Sequence, residues 1–152
     1  MMAGIGAKNT KPELLIRSGL FKLGYRYRLH GKSLPGKPDL VFASRKAVIF
    51  VNGCFWHGHD CHLFKWPKSR EKFWYDKIAN NIKRDRVVRA KLAEAGWRIC
   101  DVWECQMKGK KRLPLETVLS RCSEFLNGDA LRLSVGGNET VGISALDQGA
   151  DC

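Results

Sequence analysis

Residues 51–62 read VNGCFWHGHDCH, which places two cysteines, three histidines and two large aromatics within twelve positions. Cys54, His59 and Cys61 follow the spacing C-x4-H-x-C, and Cys105 closes the apolar run WRICDVWE (97–104). Thiolate and imidazole donors in a set of four suit tetrahedral Zn²⁺, and a closed set of protein ligands marks a structural site. Such sites carry about 10–16 kcal/mol of apparent binding energy in small peptides, enough to stiffen an irregular loop. The alternative is a group of buried, unligated thiols with surface histidines. Six cysteines in a chain expected to be cytoplasmic read as ligands or core thiols rather than as disulfides. Cys100 and Cys122 are expected in the core and Cys152 in a tail.

A second chemistry lies upstream. Asp39 follows Pro38 at the start of the apolar run DLVFA, and the next apolar run, AVIFV, ends at Val51 and Asn52. A carboxylate on one strand with an acceptor on its neighbour is how many nucleases hold Mg²⁺ against a scissile phosphate. An aspartate after proline also serves as a turn or cap residue, and both readings stay open on the residues alone.

The elements that must position these groups are legible from periodicity. Thr10, Pro12 and Glu13 form a helix start of the capping-box kind ahead of apolar positions running from Leu14 to Leu23. Alternation in YRYRLH predicts a strand over 25–30, SLPGKP a loop, and the runs at 39–43 and 47–51 two further strands, the second buried on both faces. A long helix is expected over 69–95, stopped by Gly96, then a strand over 97–104 and a helix over 114–126. Strands separated by helices predict a single α/β domain with a mixed sheet covered on both sides. Beyond Leu126 the chain is Gly-rich and weakly periodic, so 127–152 is expected to be a mobile tail after a domain spanning 1–126.

Charge indicates the partner. The 27 basic and 15 acidic residues give a net +12, and the body is more basic still, with 26 basic and 11 acidic residues over 1–126. That surplus fits a polyanion, since each neutralised phosphate releases condensed counterions; the bland reading is a solubilising surface. No run approaches the roughly 20 apolar residues a membrane span requires, and the cations are dispersed along the chain, so no membrane partner is expected.

The motifs NTKPE, SLPGKPDLVF, AVIFVNGCFWHGHDCH, EKFWYDKIANNIKRD and GWRICDVWEC, in this order over about residues 8–126, resemble the very short patch repair (Vsr) DNA mismatch endonucleases. That family is a branch of the PD-(D/E)xK nuclease superfamily. The resemblance implies a restriction-endonuclease-like sheet and a monomer that nicks one strand 5′ to the thymine of a T:G mismatch left by 5-methylcytosine deamination. It implies Asp39 and the Val51 carbonyl as holders of the catalytic Mg²⁺, His57 as a general base or water-orienting residue, and Glu13 as an aid to the metal–water network. It further implies a Zn²⁺ set of Cys54, His59, Cys61 and Cys105, and Met2, Phe55 and Trp56 as wedges in the base stack. Inserting apolar side chains costs a few kcal/mol per step, least at a weakened pair, which gives mismatch selectivity. Covering the core is the other use of Phe55 and Trp56, and helix capping the other use of Glu13.

The family pattern has Thr-His where this chain has Val51-Asn52. A backbone carbonyl serves equally from valine. Asn52 can hydrogen-bond a phosphate or water but cannot act as a base near pH 7, which leaves proton handling to His57. Relatives often carry further basic residues before the position of Met2, so part of a DNA-gripping arm is expected to be missing. Implied partners are mismatched duplex DNA, a cytosine-5 methyltransferase and downstream mismatch-repair and polymerase machinery, with action at the nucleoid. Two alternatives are a non-catalytic zinc-containing DNA-binding protein and a PD-(D/E)xK nuclease of different substrate choice.

Overall fold

The computed structural model describes residues 9–137 and 139–142. Helix α1 (Lys11–Lys22) starts where expected: the Thr10 hydroxyl accepts from the Glu13 amide at 3.4 Å, and Pro12 stands in the first turn. Its buried side chains include Ile16 and Leu20. The strand expected over 25–30 shortens to β1 (Arg28–Leu29), the two residues that pair with Val41 and Leu40, and Tyr25 and Tyr27 ahead of it pack on the core. Tyr25 bonds Ser123 and Asn127, and the Tyr27 hydroxyl donates to the Arg17 carbonyl at 2.6 Å.

Strands β2 (Leu40–Phe42) and β3 (Ala47–Asn52) pair antiparallel around a tight turn, in the register Leu40↔Ile49. Helix α2 (Glu71–Glu94) then crosses over to β4 (Arg98–Trp103), which lies parallel to β3. Gly96, at φ 90°, ends α2: its amide donates to Ala93 and that of Trp97 to Leu92, two bonds that only a left-handed residue lets the chain make without strain. Helix α3 (Leu115–Asn127) follows.

The segment after Leu126 departs from expectation. Its described part supplies β5 (Arg132–Val135), parallel to β4, and completes a five-stranded sheet in the order β1-β2-β3-β4-β5, while residues 143–152 of the expected tail lie outside the described residues. The reason is local alternation: Leu133 and Val135 point into the core under α3, while Arg132 and Ser134 point the other way, a period-2 signal hidden by flanking glycines.

The sheet is covered on both faces. Helices α1 and α3 enclose Ile16, Leu20, Phe42, Ile49, Val102, Val118, Cys100 and Cys122. The C-terminal half of α2 covers Val48, Phe50 and Ile99 with Leu92 and Val88. Its N-terminal half leaves the sheet, and Ile78, Ala79 and Ile82 pack under Phe55, Phe64 and Val141. One helix therefore holds both the sheet and the irregular loop after β3. Among the described residues, no helix is long and apolar enough to cross a membrane.

Candidate active site and metal centre

The parallel pairing of β3 and β4 explains how a cysteine 51 residues away joins the loop. Asn52 faces Trp103 across the ladder, so Cys54 and Cys105 each stand two residues beyond a paired strand end. Their donor atoms, with those of His59 and Cys61, all lie within 4.8 Å of one another. The His59 Nε2–H donates to the Gly136 carbonyl at 2.9 Å, which leaves Nδ1 facing the thiols of Cys54 (3.6 Å) and Cys105 (3.7 Å). A second partner that fixes the tautomer of a ligating imidazole is a regular feature of metal sites.

Amides of Cys105 and Leu63 and the Gln106 side chain point at the sulfurs, as they would at thiolates. Burial pushes the Cys54 and Cys105 thiols up and the His59 imidazole down. A cation at the centre of the four donors reverses the penalty on the thiols, and three sulfurs with one nitrogen fit a soft, tetrahedral ion. The ring of His59 also stacks on Trp103 at 4.1 Å. Behind the loop, Val141 donates to the Gly58 carbonyl at 2.7 Å and Asp60 to Glu139, so the chain after β5 clamps the site. Gly58 has φ 63°, and a Cβ there would meet Ile82 at 2.6 Å, so the loop's close seat on α2 needs glycine.

Beside this centre opens a cleft of about 890 Å³, lined by Asp39, Val51, Asn52, Phe55, Trp56 and His57 among others. Lys11, Lys37 and Lys108 line it together with Asp39 and Glu104, and Lys108 pairs with Glu104 at 3.5 Å. The Asp39 Oδ2 accepts from the Val51 amide at 2.7 Å, tying the carboxylate to the edge of β3. Burial raises its pKa from 3.8 to about 6, helped by Glu13 and opposed by the Val51 amide, His30 and His57.

Two pH effects follow from that carboxyl. A proton competes with a cation for it, so apparent Mn²⁺ affinity is expected to fall about tenfold per pH unit below 6 and to level off above. Calorimetric titration at pH 5, 6 and 7 checks this, with Asp39→Asn expected to be flat. Because the folded pKa lies above the unfolded one, the group's contribution to stability of the metal-free protein is complete below about pH 3.9 and is lost as pH rises through about 6.

Glu13, Asp39 and His30 form a second cluster whose donor atoms lie within 4.8 Å. Glu13 is 1% exposed, and its oxygens accept from the Asn9 amide (2.9 Å), Arg17 (3.0 Å) and the His30 Nε2–H (2.8 Å). Its carboxylate thus reaches back before the helix as a capping residue does, while also standing beside Asp39. The sequence reading does not single out His30; it enters because His30 and Asp39 pair backbone to backbone next to β1 and β2.

His57 donates through Nδ1 to Asp85 on α2 at 2.6 Å, leaving Nε2 as the accepting nitrogen of a side chain that lines the cleft. Asp85 also escapes the sequence reading. Asn52 is 4% exposed, and its Nδ2 donates to Asp101 at 2.9 Å. Phe55 and Trp56 are half-buried, meet edge to face at 5.3 Å, and both touch Trp74. Phe55 also covers the Ile78–Ile82 cluster, so it packs on the core and lines the cleft at once. Met2 lies outside the described residues.

The family model described as DNA mismatch endonuclease Vsr matches residues 1–63. The DNA mismatch endonuclease Vsr of Escherichia coli (strain K12) is 39% identical over 145 residues, covering 95% of this chain and 91% of that protein. This chain belongs to the Vsr family. The type II nicking enzyme V.XorIIP of Xanthomonas oryzae pv. oryzae is 51% identical over 107 residues, 70% of this chain and 79% of its own length. The type II nicking enzyme V.NmeAIP of Neisseria meningitidis is 44% identical over 110 residues, 72% and 79% respectively. Membership of the Vsr family, with nicking enzymes among its relatives, supports a DNA-nicking endonuclease, and a DNA partner fits the basic body of the chain.

Proposed function

We propose that this chain nicks one strand of duplex DNA 5′ to the thymine of a T:G mismatch, leaving a 5′-phosphate, and so starts repair of deaminated 5-methylcytosine. The observation that supports this reading is a convergence: Asp39, Val51 and His57 share one cleft with Phe55 and Trp56, against a Cys/His donor set. In this reading the mixed sheet is a restriction-endonuclease-like core. Asp39 and the Val51 carbonyl hold Mg²⁺, and Cys54, His59, Cys61 and Cys105 hold Zn²⁺. Mg²⁺, when bound, neutralises charge developing on the scissile phosphate and makes a water acidic enough to attack near neutral pH.

The chain's own groups do the rest. His57 accepts the attacking water's proton at Nε2, and Asp85 holds the ring in the tautomer that leaves this nitrogen bare. Asn52 cannot take a proton, and it shapes the strand end through Asp101. Glu13 secures His30 and stands beside Asp39, keeping the acidic pocket in place. Lys11, Lys37 and Lys108 meet backbone phosphates. Phe55 and Trp56 enter the stack at the weakened pair, with Met2 from the opposite groove. The protein acts as a monomer in the bacterial cytoplasm, on sites modified by a cytosine-5 methyltransferase, and hands the nick to polymerase and mismatch-repair proteins.

Duplexes that differ only in a T:G, T:A or C:G pair at one methyltransferase-type site test this, with Mg²⁺ and strand-resolved electrophoresis. Unstacking differences of a few kcal/mol predict at least about 10²-fold faster nicking of the T:G duplex, 5′ to the thymine. Equal cleavage of paired DNA would indicate a nuclease of different substrate choice, and tight binding without cleavage a passive DNA-binding protein.

A further inference from the structure

The face of β4 under α2 carries one acid, flanked along the strand by Ile99 and Trp103. Asp101 is 4% exposed and lies among Phe50, Ile99 and Leu92 on that side of the sheet. Burying a carboxylate is costly unless it is paired and fully hydrogen-bonded, and an apolar residue there would cost less. Its partners form a continuous path. Asn52 Nδ2 and Arg89 Nη2 both donate to Oδ1, and Arg132 of β5 reaches Oδ2 at 3.4 Å.

Arg89 carries the path onward. Its guanidinium lies over the Phe50 ring at 3.8 Å, its Nη2 stands 3.5 Å from the Asn52 Oδ1, and its Nη1 stands 3.7 Å from Asp85 Oδ1. The other oxygen of Asp85 accepts the His57 Nδ1–H. From the sheet to the cleft, the order is Arg132, Asp101, Arg89, Asp85 and His57. The two carboxylates and two guanidiniums balance in charge, and the planar fork of arginine reaches both acids at once where a lysine could reach one.

We propose that Arg89 and Asp101 are positioning residues that hold Asp85, and through it the His57 ring, in the orientation proton transfer needs. Neither touches DNA or metal in this role. The proposal rests on the reading of His57 as the proton acceptor, and it extends that reading through the buried Asp101 to Arg132 in the segment after α3.

The test uses the full chain with the double substitution Arg89→Met and Asp101→Asn. Removing both charges leaves no isolated buried ion, methionine keeps a stem over Phe50, and the asparagine still accepts from Asn52. Fold, zinc content and affinity for the T:G duplex are expected to stay within about threefold of the parent. Single-turnover nicking is expected to fall about 10–100-fold, the scale of a small misplacement of a catalytic group. The ¹⁵N spectrum of the His57 ring is expected to change from a single tautomer to a mixture, with Asp85→Asn as the full-loss reference.

If either the ring signature or the nicking rate stays at the parent value, the proposal is overturned. Should the double variant fail to fold, Arg89→Lys, which keeps the charge without the two-pronged reach, is read in the same way. A parent that does not nick overturns the functional reading, and the ring spectrum then decides the positioning claim by itself.

Discussion

Replacing Asp39 by asparagine is expected to lower the nicking rate by at least about 10³-fold while leaving the fold and DNA affinity close to those of the parent. The size follows from what a cation supplies at a scissile phosphate: about 4 kcal/mol of charge stabilisation, at 1.36 kcal/mol for each factor of ten. The fold should tolerate the change for a reason specific to this site. Asp39 is buried with its pKa raised to about 6, so its charged form is a burden on the metal-free protein near neutral pH. Asparagine keeps the shape and can still accept from the Val51 amide, which now donates to Oδ2. Melting temperature, gel-shift affinity for a T:G duplex and single-turnover rate, measured together, check the three parts. A variant that keeps more than about a tenth of the parent rate would remove Asp39 from the metal site.

The second large effect belongs to the Cys/His centre. Cys61→Ala is expected to reduce zinc from one per chain to a small fraction and to lower the melting temperature by about 8–16 °C, which corresponds to about 4 kcal/mol for a chain of this size. Cys61 is the informative choice because it is only partly buried, whereas Cys54 and Cys105 are fully enclosed and their loss would also open a cavity. Phe55, Trp56 and His57 lie between Cys54 and His59 of this donor set, so nicking should fall along with zinc content. Elemental analysis with a melting curve decides the matter. One zinc retained at unchanged stability would make Cys61 an ordinary surface thiol.

Much of this was legible in the residues because local spacing carries it. Thr10, Pro12 and Glu13 announce α1, Gly96 ends α2, and Cys54, His59 and Cys61 lie in one loop. Cys105 was harder, since only the parallel register of β3 and β4 brings it near. What stayed hidden was charge placed inside apolar patterns. Ile78, Ile82, Asp85, Arg89 and Leu92 are spaced 4, 3, 4 and 3 along α2, so an acid and a base occupy its buried stripe. Asp101 interrupts an apolar strand in the same way. A charge in such a position signals a partner across the fold, but the sequence does not say which. His30 belongs to a different class, because its approach to Glu13 and Asp39 depends on a two-residue strand that alternation alone overextends. Strand β5 was missed because four residues between glycine-rich stretches give a weak signal, although the exposed edge of β4 needed a partner.

In the proposed function, two metal sites of different chemistry stand side by side at the ends of β3 and β4. Diffraction from crystals soaked in Mn²⁺, recorded at the manganese and zinc absorption edges, tests it most directly. Manganese is expected at the Asp39 carboxylate and the Val51 carbonyl, and zinc within Cys54, His59, Cys61 and Cys105. Manganese bound away from Asp39, or no zinc among those four residues, would contradict it.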